Sequence, residues 1–337
     1  MKLFDVYPLY DVCPVRAKDV YVYDKKETKY LDLYGGHAVI SVGHSHPYYI
    51  KRLVEQLNKI GFYSNAVENP LQQKLADKIS EQSSIHDYQL FMCSSGAEAN
   101  ENALKLASFH TNRRRIIAFK NSFHGRTSAA VAATDNKKIN APLNQQQEVT
   151  FIPFNNEEAL ENELKKKDVC AVIFEPIQGV GGLDIPNDEF IINIEGLCQK
   201  YNTCLIADEV QSGFSRSGRF FAFQKNKIKP HIITMAKGMG NGFPVGGILV
   251  HPDLKPKHGM LGTTFGGNHM ACTASLAVLK IIQKEKLEEN AKRMDTYFRN
   301  KSKNIGKTKG CGLMLGLEFD FEVGPLRKKL IYEKKIF

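Results

Sequence analysis

No apolar run in this chain approaches the roughly 20 residues that a membrane-spanning helix needs, so a membrane partner is not expected. The opening stretch, Met1-Lys-Leu-Phe-Asp-Val-Tyr-Pro8, holds neither the apolar centre of a signal peptide nor the Arg/Ser-rich character of a transit peptide. Low-complexity tracts are missing too. Cysteines are few: seven, an odd number with no CxxC pair. Such a set fits a reducing cytoplasm better than a disulfide framework. Metal ligation has little support. His44 and His46 stand two apart, but no Cys or carboxylate lies at ligand spacing beside them. A turn ahead of a helix at 47–60 is the better reading, and no metal is expected.

What is present is ordinary for a globular protein: 337 residues, 42% hydrophobic and 24% charged. That length supplies material for about two domains and a sizeable core. The net charge of +10 raises the question of a nucleic-acid partner. However, the lysines are scattered, and the basic runs Arg113-Arg-Arg115, Lys165-Lys-Lys167, Lys328-Lys329 and Lys334-Lys335 fall at helix ends or near the terminus. They read as solvated surface, and no nucleic acid is expected.

Two stretches organise the rest: Cys204-Leu-Ile-Ala-Asp208-Glu-Val-Gln211-Ser-Gly213 and His231-Ile-Ile-Thr-Met-Ala-Lys237-Gly238-Met-Gly240-Asn-Gly242. Each is a short apolar run stopped by a charge. Runs of this kind read as buried strands of a mostly parallel sheet, whose ligands sit at the strands' carboxyl ends. An acid and an amine therefore project from one sheet edge. A lysine in a poorly hydrated pocket has a lowered pKa and can form a Schiff base with an aldehyde. An aspartate beside it can keep a pyridine nitrogen protonated, as pyridoxal phosphate (PLP) requires. Taken alone, Lys237 reads better as one more solvated lysine, and it is the rest of the constellation that shifts the reading.

Other segments carry the same rhythm. Val20–Asp24 and Lys29–Tyr34 alternate like a hairpin around a turn at 25–28. Tyr88–Ala107 reads strand, tight turn, helix; Ser95 and Glu98 form a capping-box pattern, and the free N–H groups of that first turn suit a phosphate. Arg115–Phe119 is a strand followed by Phe123-His-Gly-Arg126, an aromatic and an arginine that serve either as ring platform and carboxylate fork or as core and surface residues. Val169–Phe174 ends in Glu175-Pro-Ile-Gln178 and a glycine loop, and a helix at about 188–202 returns to the Asp208 strand. The βαβ order argues for an α/β fold.

Five ordered segments, Ser95-Gly-Ala-Glu-Ala-Asn100, Phe123-His-Gly-Arg126, Glu175-Pro-Ile-Gln178, Asp208-Glu-Val-Gln211 and Lys237-Gly, resemble the signature set of the class III PLP-dependent aminotransferases, the acetylornithine/succinylornithine group in particular. The likeness runs from Pro14 to about Ile331. It implies fold type I: a large domain with a mainly parallel seven-stranded sheet, a smaller α+β domain from both termini, and a homodimer with shared active sites. The divisions implied are 1–45 for an N-terminal part of the small domain, 46–255 for the PLP-binding domain, and 256–337 for the return. A helix from about 270 to 284 and the segment 310–318 open that return.

Residue by residue, the resemblance makes Lys237 the Schiff-base lysine and proton shuttle, and Asp208 the partner of the pyridine nitrogen. Gln211 would bond the ring hydroxyl and Phe123 would stack on the ring. Gly96 and Ala97 would offer amides to the phosphate, with Ser95 supporting the turn and Thr264 reaching the phosphate of the neighbouring subunit. Arg126 would hold a substrate carboxylate. The chain departs from the pattern at Ser94, where Asn is usual, and at Val180, where many members carry a Glu that pairs with a second arginine. The Arg-x-x-Pro-Pro-like segment holding that arginine is not reached before Phe337, and 333–337 reads as a strand cut within a domain, so a fragment or an incomplete small domain is expected. The implied activity is transfer of the terminal amino group of N2-acetylornithine, or another N2-acylornithine, to 2-oxoglutarate in arginine biosynthesis. Ornithine or 4-aminobutyrate is the alternative donor, and a non-catalytic binding protein on a decayed fold the alternative of another class.

Overall fold

The computed structural model describes all 337 residues. Seven strands build the central sheet: β4 (Gln89–Cys93), β5 (Arg115–Phe119), β6 (Val149–Ile152), β7 (Val169–Phe174), β8 (Cys204–Asp208), β9 (Ile232–Met235) and β10 (Gly246–Val250). Before them, β1 (Pro14–Lys18), β2 (Tyr21–Asp24) and β3 (Lys29–Leu31) make an antiparallel three-stranded sheet; after them, β11 (Lys307–Cys311) and β12 (Met314–Glu318) make a hairpin. The central order is β4-β10-β9-β8-β7-β5-β6, and β10 alone runs against its neighbours. This is the mainly parallel α/β sheet expected.

Every residue of β5, β7, β8, β9 and β10 is buried, as strands covered on both faces must be. The period of two sorts them. In β8, Leu205 and Ala207 join one core while Cys204 and Ile206 join the other. Helix Gly96–Thr111 covers one face through Ala99, Ala103, Leu104 and Ala107. Helix His269–Lys284 packs into the core on the opposite face through Cys272, Val278 and Leu279. Emptying one such position, as in Phe174→Ala, would cost about 3–5 kcal/mol.

The helices fall close to their expected bounds, at Pro47–Leu57, Asp188–Lys200 and His269–Lys284. The hairpin's second arm is shorter than expected. Asp32 Oδ1 accepts the amides of Tyr34 (3.1 Å) and Gly35 (2.7 Å), and this side-chain turn ends β3 at Leu31. The last residues meet the end of β3: the Leu31 amide donates to the Lys335 carbonyl (2.8 Å), the Phe337 amide donates to the Leu31 carbonyl (2.9 Å), and Ile336 pairs with Leu31 as a single parallel bridge rather than a strand.

One sequence reading changes. Arg113 and Arg115 are not solvated surface. Arg115 is buried, paired with Asp168 (2.6 Å) and Glu163 (2.6 Å), while Arg113 Nη1 donates to three carbonyls, those of Val169, Tyr201 and Asn202. They staple the amino ends of β5 and β7. His44 and His46 lie in the turn ahead of the helix, each against a carboxylate: Asp32 in the preceding turn (2.7 Å) and, far along the chain, Glu285 (2.9 Å). His46 Nδ1 also accepts the Tyr48 amide, so it caps the helix that follows. No helix is long and apolar enough to cross a membrane.

Candidate active site

The carboxyl ends of β4, β5, β7, β8 and β9 surround a cavity of about 360 Å³. Ser95, Gly96, Ala97, Phe123, Arg126, Asp208, Gln211 and Lys237 all line it. Eight of the nine site residues singled out in the sequence therefore converge from elements far apart in the chain. Thr264 does not. It is exposed on a turn held by Asn65, whose Nδ2 donates to the carbonyls of Thr263 (3.1 Å) and Gly266 (3.0 Å).

Asp208 ends β8 and is buried. Four donors converge on it: His124 Nδ1 (2.7 Å) and Asn100 Nδ2 (2.8 Å) on Oδ2, the Val210 amide (3.1 Å) and Thr234 Oγ1 (3.4 Å) on Oδ1. A carboxylate only accepts, so the His124 proton facing it sits on Nδ1. The same Asn100 amide group also donates to the His124 carbonyl (2.7 Å), which locks the imidazole's backbone in place. Asn100 Oδ1 and His124 Nε2 are left buried without a partner. Unpaired buried polar atoms are rare and mark places where a further group belongs.

Lys237 follows β9 and Ala236 with a φ of +45°, in the left-handed region. A side chain there costs on the order of 1 kcal/mol, and such strain gathers at functional sites. Its amine has no hydrogen-bond or ion-pair partner. Burial holds its pKa below the ordinary lysine value; the Asp208 and Glu175 carboxylates oppose that shift and the Arg216 guanidinium adds to it. Lowering the pKa of an unpaired amine makes it the more available as a nucleophile.

Phosphate-binding capacity comes from the helix that starts at Gly96. Ser95 caps it, its Oγ accepting the Glu98 amide (3.2 Å). The reciprocal half of the capping box shifts by one residue: Glu98 Oε2 accepts the Ser94 amide (2.6 Å), not that of Ser95. The Gly96 and Ala97 amides have no partner and face the cavity with the helix dipole behind them. Phe123 and Arg126 follow β5; the guanidinium lies 6.0 Å from the ring centroid and is exposed. Gln211 lies flush against Gly179, where an added methyl would fall 1.8 Å from Gln211 Oε1. Val180 stands at the rim, 68% exposed.

This donor set fits PLP. It offers an amine for an aldehyde, an acid for a ring nitrogen, an aromatic face, and free amides for a phosphate. His124 and Asn100, which hold Asp208, were quoted in the sequence motifs without a role. The signal available was a polar residue on an otherwise Ala/Leu-rich helix face, and a histidine directly after the candidate ring platform.

The family described as Aminotransferase class-III matches residues 5–333. Acetylornithine aminotransferase of Archaeoglobus fulgidus is 41% identical over 326 residues, 96% of this chain and 85% of that protein. Succinylornithine transaminase of Photorhabdus laumondii is 38% identical, covering 91% and 80% respectively. Among solved structures, the ornithine aminotransferase of Toxoplasma gondii, described with partial occupancy of PLP at its active site, superposes with a TM-score of 0.91 at 27% identity, covering 98% of this chain and 83% of that one. With its fold-type I sheet and a family match across nearly its whole length, the chain belongs to the class III, PLP-dependent aminotransferases and is a transaminase.

Proposed function

We propose that this transaminase moves the terminal amino group of N2-acetylornithine, or another N2-acylornithine, to 2-oxoglutarate, giving glutamate and the acylated semialdehyde. The observation that carries the chemistry is the unpaired, burial-activated amine of Lys237 sharing one cavity with Asp208. PLP, when bound, supplies an electron sink for the carbon that bears the amino group. Lys237 Nζ takes the proton from that carbon and returns it on the other side of the transfer. Asp208, fixed by His124 and Asn100, would accept a hydrogen bond from the ring nitrogen and favour its protonated form. Gln211 would bond the ring hydroxyl, Phe123 would cover a ring face, and Gly96 and Ala97 would present amides to the phosphate, with Ser95 holding their turn. Arg126 is exposed at the cavity and without an ion-pair partner, and its fork suits a substrate carboxylate.

The choice of an acylated donor is supported by the 41% identity to an acetylornithine aminotransferase and by the rim. Free ornithine brings an α-ammonium group. The cavity's two carboxylates, Asp208 and Glu175, are both buried, and the rim offers it the exposed Val180. A neutral acyl amide asks for no counter-charge there.

The working unit we propose is a homodimer in which Thr264 completes the partner's phosphate site, with the chain divided near 45 and 255 into small and large domains. An exposed aromatic pair beside Thr264, Phe62 against Phe265 at 5.5 Å, supports a covered face. Seven free cysteines, five of them buried, fit the cytoplasm. A single-turnover screen of amines against PLP-loaded protein, followed by absorbance, tests the substrate. N2-acetylornithine should convert the cofactor band at least about tenfold faster than ornithine, a difference of about 1.4 kcal/mol. Faster conversion by ornithine or 4-aminobutyrate would overturn the assignment.

A further inference from the structure

Glu175 has no part in the chemistry above, yet it is buried beside the cavity and touches two of its walls. It follows β7 directly. One carboxylate oxygen accepts the amide of Phe123 (Oε1, 2.9 Å) and the other accepts the amide of Gly179 (Oε2, 2.9 Å). The first amide belongs to the ring-platform residue on the loop after β5. The second belongs to the glycine on which Gln211 lies flush. A single side chain thus ties together the two loops that bear the proposed ring-stacking face and the seat of the proposed ring-hydroxyl ligand.

We propose that Glu175 is the positioning residue that sets the width of the ring slot, a clasp joining the Phe123 loop to the Gly179 loop. The neighbouring packing agrees. Gln178 Nε2 donates to the Lys120 carbonyl (2.7 Å), and the backbone of Gly181 lies so close to the Asn121 carbonyl that an added methyl would fall 2.5 Å from it. The loop around Gly179 is closed on itself by the bonds from the Gln178 amide to the Asp184 carbonyl (3.0 Å) and from the Leu183 amide to the Gln178 carbonyl (2.9 Å). What Glu175 grips is therefore a loop already closed by its own backbone bonds.

Chemistry distinguishes this glutamate from the other buried glutamate on the same sheet edge. Glu209 accepts the Ser212 hydroxyl (2.5 Å) and the Phe223 amide (2.9 Å). A hydroxyl can turn from donor to acceptor, so a glutamine at 209 keeps both contacts. The partners of Glu175 are two backbone N–H groups, which only donate. A glutamine at 175 keeps one of them and sets its own NH₂ against the other. The isosteric change is disruptive at 175 and tolerable at 209.

The first arm of the test needs no cofactor. Amide hydrogen exchange, resolved on peptides covering 120–126 and 178–184, is compared for the full-length apo-protein, Glu175→Gln and Glu209→Gln. Both loops should exchange about ten- to a hundredfold faster in Glu175→Gln, the range for a lost hydrogen bond to a charged acceptor. Both should stay at the wild-type rate in Glu209→Gln. Unchanged protection of either loop in Glu175→Gln, or an equal rise in Glu209→Gln, would overturn the clasp. Should Glu175→Gln not fold, Glu175→Asp, one methylene too short to span both amides, carries the same expectation. Failure of both to fold while Glu209→Gln folds would also overturn it, by making Glu175 a requirement of the core. The second arm rests on the PLP reading: Glu175→Gln should bind PLP about tenfold more weakly by equilibrium titration, as for one lost hydrogen bond. Undiminished affinity overturns the slot-setting role. Wild-type protein that binds no PLP contradicts the PLP reading instead, and leaves the exchange result to judge the clasp.

Discussion

Asp208 shows how much one buried side chain depends on residues remote in sequence. His124 lies 84 positions away and Asn100 lies 108 away, yet both bond the same oxygen. An acid held by that many donors would be a preorganised partner for a positive ring nitrogen. Asp208→Asn should still bind PLP but lose roughly two to four powers of ten in kcat, as for removing one preorganised electrostatic partner. A near-wild-type kcat would make Asp208 a strand-end acid only. Glu209 supplies a second residue-level prediction, on stability. Burial pushes its carboxyl up to about 7, against the bonds from Ser212 and the Phe223 amide that favour the charged form. A folded-state pKa above the unfolded one means a contribution that is fully present below about 4.5 and lost as pH rises through about 7. Glu175 shifts in the same direction, so stability should decline between those values from two groups. Glu209→Gln should flatten part of that decline and raise stability at pH 8 by up to about 2–4 kcal/mol in chemical denaturation. An unchanged pH slope would contradict the assignment.

At the level of elements, β8, β9 and the strand–turn–helix around Ser95 were legible because each stops abruptly: an apolar run, then a charge or a cap. The acid, the amine and the phosphate turn come from those stops. Arg113 and Arg115 were not legible. A basic run at a helix end looks the same whether it faces water or, as here, folds back onto Asp168, Glu163 and three carbonyls, and only the packing of β5 against β7 decides. The roles of His124 and Asn100 were hidden for a related reason, since no local pattern states which distant carboxylate a buried polar group meets. The shortened second arm of the β2–β3 hairpin follows from Asp32, whose side-chain turn outcompetes the apolar alternation after it. The Gly179 turn carries a prediction of its own. Gly179→Ala should fold normally, because the added methyl meets the end of a flexible side chain, but it should displace Gln211 and weaken PLP binding about tenfold. Gly179→Ala and Gln211→Ala should then be non-additive, since one acts through the other. Full additivity in the double variant would separate them.

For the whole molecule, one chain brings together every singled-out site residue except Thr264, which lies exposed beside Phe62 and Phe265. A phosphate dianion needs several donors, and the helix at Gly96 offers two free amides. A hydroxyl from a second copy would add about 1–3 kcal/mol for a charged acceptor. Thr264→Val should therefore weaken PLP retention by about one to two powers of ten. Mixing Lys237→Ala with Thr264→Val subunits distinguishes cis from trans. The Thr264→Val subunit keeps its lysine and receives an intact threonine from its partner, so retention there should return towards wild type. Mixed dimers no better than Thr264→Val homodimers, or an active monomer, would contradict a shared site.

The claim beneath all of these is that Lys237 is the amine that holds the cofactor. Its most direct test is borohydride reduction of the PLP-loaded protein followed by peptide mapping. The account predicts one fixed pyridoxyl group per chain, on the peptide that contains Lys237, and none in Lys237→Ala. A reducible linkage that persists in that variant, or that maps to another lysine in the wild-type protein, would contradict it.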